Sequence, residues 1–160
     1  MCARIASPCV GLCSTTLGDP VCRGCQRTDD EIGEWMALSA EQRDHRMTEL
    51  DGLRERVAGR YLRVDDAACL EAQLKRHRIR FRSEQPSLSR VVELLRVGRD
   101  RIRELRRYGV TPQEGAVGLD AAELHDRLSA ELMVEAGERR RAQRACTDSP
   151  CCLPDPELPS

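Results

Sequence analysis

Four cysteines stand within seventeen residues: Cys9 and Cys13 are separated by three residues, eight residues follow, and Cys22 and Cys25 are separated by two. Two close pairs joined by a short loop are what a single four-thiolate metal site needs. Each pair supplies two ligands from one turn, and the loop lets the second turn close on the first. Gly11 and Gly24 lie inside the two pairs, where the missing Cβ lets backbone N–H groups turn toward the sulfurs. Residues 7–27 hold too few apolar side chains to fold alone, so metal binding there is also folding energy. The same residues also read as a dithiol redox pair at Cys22 and Cys25, or as four free thiols. A redox pair calls for a thioredoxin-like βαβ context, and the flanking sequence has none. Tetrahedral Zn²⁺ suits the compact spacing. An iron–sulfur cluster also takes four cysteines, although this spacing departs from the bacterial and plant ferredoxin patterns. Spacing alone leans slightly to zinc.

The thiol chemistry depends on the compartment. No apolar run approaches the ~18 residues of a membrane span, and the N-terminal stretch lacks the apolar core of a signal peptide. A cytoplasmic location without membrane contact is expected. Thiols are kept reduced there, and nine cysteines is an odd count, so a disulfide scaffold is not expected.

The elements that must position the cysteines follow from caps and periodicity. Residues 1–27, rich in Cys, Gly and Pro, read as a loop-built module. Thr28 and Glu31 have capping-box spacing and start a short helix at about 29–37 that buries Ile32, Trp35 and Met36. Ser39 and Gln42 repeat the signal for a helix over about 40–58, with Met47, Leu50, Leu53 and Val57 inward and Gly59 ending it. Asp65 or Asp66 caps a third helix over about 66–78, with Leu70 and Leu74 inward and Cys69 as a small core residue. "IRFRSEQPS", which contains Pro86, reads as an extended connection. A helix over about 88–108 has the clearest apolar stripe: Val91, Leu94, Leu95, Gly98, Ile102 and Leu105. Beside it run Arg96, Arg99, Arg103 and Arg106. Gly109 takes the left-handed position at its end. Asp120 and Glu123 cap a last helix over about 121–144, with Leu124, Leu128, Leu132 and Ala136 inward. Arg139, Arg140, Arg141 and Arg144 suit the negative end of its dipole. The Pro-rich end reads as disordered.

The expected fold is therefore mostly α. A small loop-built module carrying the four cysteines, with a first short helix, occupies 1–38, a helical body of an irregular bundle 39–145, and a disordered tail 146–160. The whole chain has four or five helices. With 160 residues, a third of them charged, and only Trp35, Tyr61, Phe81 and Tyr108 aromatic, the core is modest. The net charge of −1 hides an asymmetry. Residues 28–74 carry twelve acids against six arginines, and residues 75–107 carry twelve bases against four acids. Charged helix faces are ordinarily just solvated.

The stretch "SPCVGLC…CRGCQRTDDEIGEWMALSAEQR" resembles the small bacterial family known as domain of unknown function 1289. The shared residues are Pro8, Cys9, Gly11, Cys13, Cys22, Gly24, Cys25, Arg27, Thr28, Glu31, Ile32, Trp35 and Ser39, over about residues 7–50. The resemblance implies a predicted iron–sulfur protein with no known activity, and it brings the choice between Zn²⁺ and a cluster to an even one. Arg27, two residues after Cys25, is expected to soften the charge of four thiolates, and Thr28 to cap the adjoining helix. Trp35 is expected to pack that helix onto the module.

The leading expectation is a non-enzymatic metal-binding protein on Cys9, Cys13, Cys22 and Cys25, supported by Gly11, Gly24, Arg27 and Thr28. A closed four-cysteine site leaves no position for substrate, and no phosphate loop, nucleophile elbow or hydrolase motif is present. Its helical body is expected to dock on a protein partner. The alternative is an iron–sulfur electron carrier or redox sensor beside an oxidoreductase. A third reading, not favoured, puts Arg96, Arg99, Arg103 and Arg106 on nucleic-acid phosphates. A second site from Cys2, Cys146, Cys151 and Cys152 is disfavoured. His45 stands as a distant ligand candidate.

Overall fold

A computed structural model describes residues 6–148, so Cys2, Cys151, Cys152 and the tail from residue 149 lie outside the described residues. Five α-helices run in order: α1 (Asp29–Glu34), α2 (Ala40–Ala58), α3 (Ala67–Arg76), α4 (Ser87–Gly98) and α5 (Ala121–Thr147). Two short strands, β1 (Leu62–Val64) and β2 (Val110–Pro112), pair antiparallel with Leu62 opposite Pro112 and Val64 opposite Val110.

Local chemistry sets the helix starts. Thr28 with Glu31, Ser39 with Gln42, and Asp120 with Glu123 each form a reciprocal capping box, and Asp66 accepts from the Cys69 N–H. These satisfy backbone donors that would otherwise be orphaned.

α2 packs on α4 and α5, and α4 packs on α5. One core runs through them, built on Leu53, Val57, Leu94, Leu95, Leu124 and Leu128 and continued by Leu132 and Ala136 along α5. Val21 of the cysteine module lies in that same core. The division expected at residue 38 is therefore crossed by buried packing.

The expected helix over 88–108 is two pieces. α4 stops at Gly98, where Arg101 and Ile102 both donate to the Gly98 carbonyl, at 2.8 and 2.9 Å. Ile102 folds back over Gly98, where an added Cβ would lie 3.0 Å from its Cδ1. Ile102 still reaches the core, from a turn that follows α4. Residues Leu105–Tyr108 then form a 3-10 turn. Gly109, at φ +73°, closes that turn, and a Cβ there would fall 2.3 Å from the Asp66 carbonyl oxygen.

The basic stripe expected on one helix face is accordingly broken. Arg96 lies on α4 and pairs with Glu93. Arg99 caps α4 and meets Asp126 at 3.3 Å. Arg103 and Arg106 belong to the following loop and 3-10 turn. Three smaller expectations also change. Met36 is exposed. Cys69 is only half-buried, its thiol 3.5 Å from the Arg107 carbonyl. α5 runs on through Cys146 and Thr147, which were expected in the tail.

Candidate metal centre

The module is held by backbone. A 3-10 turn at Ser14–Leu17 ends on Gly18 at φ +96°. The Arg23 N–H then donates to Ser14 Oγ at 2.9 Å, tying the second half of the module to the first. Val21 bridges Thr28 antiparallel. Between them the chain closes a tight turn: Cys22 N–H donates to the Arg27 carbonyl at 2.9 Å, and Gln26 N–H donates back to the Cys22 carbonyl at 2.8 Å. Gln26 sits at φ +62°, a conformation that costs a non-glycine residue about 1–2 kcal/mol. Its side chain offsets that cost by donating to the Arg23 carbonyl and accepting from Arg54 Nε, at 2.9 and 2.8 Å.

Arg54 reaches the turn from α2 and is 4 % exposed. Besides Gln26 it donates to the Cys25 carbonyl at 3.3 Å, and Glu93 of α4 lies 3.6 Å from its guanidinium. Motif reading passed over Arg54. The available signal was its register: Leu50, Leu53, Arg54 and Val57 share one helix face, so a charged residue stands among core positions. Asp51 is the same case, buried and bonded to Ser89 at 2.8 Å and to Arg82.

Cys22 and Cys25 are both buried. Burial opposes ionisation of Cys22, but the backbone N–H groups of Cys25, Ser14 and Gly24, together with the Cys25 thiol, draw its pKa down to about 7. Burial pushes the Cys25 thiol up, and Arg27 works against it, its Nε 3.4 Å from the sulfur. Arg27 is itself buried and stacks on Trp35, with Cζ 4.7 Å from the ring centroid. Trp35 is buried as expected, and its Nε1–H donates to the Ala6 carbonyl at 3.0 Å.

The first cysteine pair lies against the second. A Cβ on Gly24 would sit 2.4 Å from Val10 Cγ2, and the Cys22 thiol faces the Leu12 carbonyl at 3.7 Å. The sulfurs of the first pair point elsewhere. Cys9 Sγ accepts from the Gly11 N–H at 3.4 Å, and Cys13 Sγ meets Thr15 Oγ1 at 2.9 Å. Among the described residues, no three or more Cys, His, Asp or Glu side chains are gathered into a metal-binding group. The donor set thus fits a thiophilic metal in residue type and in the N–H groups facing its sulfurs. One pair is assembled, and closure of the set asks the loop that carries the half-buried Cys9 and Cys13 to turn two sulfurs inward. His45 pairs with Glu49 at 3.2 Å on the exposed side of α2.

α5 clamps the module from outside. Arg139 takes the Glu31 carboxylate with both Nη atoms and also reaches Glu49, at 2.8 Å. Arg140 holds Asp29 through two bonds of 2.8 Å, and Arg144 holds Asp30 at 3.0 and 3.3 Å. Arg140 draws the Asp29 carboxyl down to about 2. Burial works against ionisation of Glu31, but Arg139 and the Thr28 N–H outweigh it and hold that carboxyl below its usual range. The C-terminal arginines, read from sequence as dipole complements, therefore serve as ligands for the acidic first turn of α1.

Fold and site together define a cysteine-rich turn module packed on a helical body. Residues 7–54 match the family described as Protein of unknown function (DUF1289). That span ends at Arg54, so it takes in the module, α1 and the α2 arginine that grips the second cysteine turn. No curated protein and no solved structure matches the chain.

Proposed function

We propose that Cys9, Cys13, Cys22 and Cys25 together hold one metal group, Zn²⁺ or an iron–sulfur cluster, and that the protein is a cytoplasmic, non-enzymatic metal-binding module acting as an accessory to a protein partner. The observation that carries this reading is the Cys22–Cys25 turn, buried, gripped by Arg54, and surrounded by donors directed at its sulfurs. Free structural thiols need no such donors; thiolates do. Gly24 lets the Cys9–Cys13 loop rest on that turn, so the other two ligands are within a loop movement of it. Bound Zn²⁺ would brace residues 7–28, and a bound cluster would add a one-electron couple.

The Arg27 and N–H donors also favour a second reading, an iron–sulfur electron carrier or redox sensor, because hydrogen bonds to sulfur tune a cluster's potential. The nucleic-acid reading has lost the continuous basic face it needed: the helix divides at Gly98 and two of the four arginines face acids. No helix of the described residues is long and apolar enough to cross a membrane.

Anaerobic purification without chelator, followed by a visible spectrum and metal and sulfide analysis, tests the reading. Iron with acid-labile sulfide, lost in Cys25→Ser, supports the cluster. One zinc and no colour supports the structural ion. A folded protein that binds neither, even after reconstitution, would overturn the proposal.

A further inference from the structure

A cleft of about 410 Å³ opens between the Cys9 loop and the helical body. Residues 7–11 form one wall, and Arg54, Arg80, Arg82 and Arg96 converge on it from α2, the 77–86 connection and α4. Glu93 is the one carboxylate in its lining among the described residues. Arg96 and Arg54 share Glu93, at 2.8 and 3.6 Å. Arg82 pairs with the buried Asp51. Arg80 donates to a neutral group, the Ser7 carbonyl, at 3.1 Å. Four guanidinium groups therefore face two carboxylates, and a concave site with surplus charge concentrates ions of the opposite sign.

Size and shape narrow the class. The volume falls in the range of small-molecule sites, far above that of a single ion. Phe81, Pro8 and Val10 supply apolar wall. Guanidinium forks match the paired oxygens of phosphate and carboxylate groups.

We propose that this cleft binds a small anionic molecule bearing two or more negative charges on phosphate or carboxylate groups, seated against the Cys9 loop. The inference rests on the arginines and on the cleft formed with residues 7–11 in the conformation described, not on an occupied cysteine centre. Arg80 is the first residue to change, since it is exposed and its bond to Ser7 is to a neutral acceptor.

The test is calorimetric titration of the full chain at low ionic strength with pyrophosphate, for phosphate oxygens, and with citrate, for carboxylates. Saturable binding of either probe is expected, weakened about tenfold by Arg80→Gln and further by Arg80→Gln with Arg96→Gln. Arg141→Gln on α5 should leave it unchanged. The tighter probe assigns the oxygen chemistry. The proposal is overturned by the absence of saturable binding to either probe, by equal affinity in Arg80→Gln, or by equal weakening in Arg141→Gln. It is also overturned if Arg80→Gln alters metal content and leaves anion affinity intact, since the arginines would then serve the cysteine centre.

Discussion

Arg54 carries three jobs on one guanidinium. It satisfies the left-handed Gln26, it holds the Cys25 carbonyl, and it neutralises Glu93 in a place water barely reaches. Removing Arg54 leaves Gln26 Oε1 and the Cys25 carbonyl without their buried donor, at about 1–3 kcal/mol, while Glu93 keeps Arg96. Arg54→Ala should therefore lower the denaturation midpoint far more than Arg63→Ala, whose partner Asp65 is exposed; equal losses in urea titrations would contradict the network. Gly24→Ala tests the approach of the two cysteine turns. Its new methyl would meet Val10 at 2.4 Å, so the Cys9–Cys13 loop must lift away, and metal retained per chain should fall while the far-UV spectrum holds. Trp35, the sole tryptophan, sits on Arg27, which touches Cys25. Its emission should shift on reconstitution with metal, and that shift should be lost in Arg27→Met.

At the scale of elements, helix starts were legible, as was the end of α2 at Gly59, and the end of α4 was not. Thr28, Ser39 and Asp120 announce themselves because a cap is a local bond between residues three apart. The end of α4 is not local. Ile102 is apolar at helical spacing and buried although it lies beyond the end of α4, so the apolar period runs on past the point where the helix stops. The β1–β2 ladder was missed for the same reason: three-residue strands so far apart in sequence have no period to detect. Gly109→Ala should open that ladder, since its φ of +73° and the 2.3 Å approach to Asp66 both exclude a side chain. Faster amide exchange at Thr111 and Asp65 would report it.

The α5–α1 clamp gives the same scale a pH signature. The folded carboxyls of Asp29 and Glu31 are held below their free values, so the unfolded chain binds these protons more readily. Their contribution is complete above about pH 5 and is lost as pH falls through 3.8 toward about 2. The thermal midpoint should drop across that window, and less steeply in Arg140→Gln. Asp29 is partly exposed, so added salt should shrink the difference. An identical slope in the variant would show that the clamp does not set the acid limb.

Over the whole molecule, composition foretold a modest mostly helical core, and that is what forms. The cysteine site was legible as a set of donors and as a family resemblance, both confined to residues 7–54. Its supports were not, because Glu93 and Arg139 come from helices that the cysteine motif does not contain. The shared core and the clamp join module to body by buried packing and ion pairs, and the two are expected to unfold together. A chain cut after Asp120 loses Leu124, Leu128, Leu132 and Ala136 from that core and the clamp with them. It should show no cooperative unfolding transition by circular dichroism, and a sharp transition there would mean the module folds apart from the bundle.

The clamp also has a history written into its sequence separation. Glu31 waits 108 residues for Arg139. At ordinary rates of protein synthesis that interval lasts about 5–20 s. Throughout it, the four cysteines are already synthesised while the helix that will brace their module is not, so a metal donor or chaperone acting during translation would meet them before the final brace arrives.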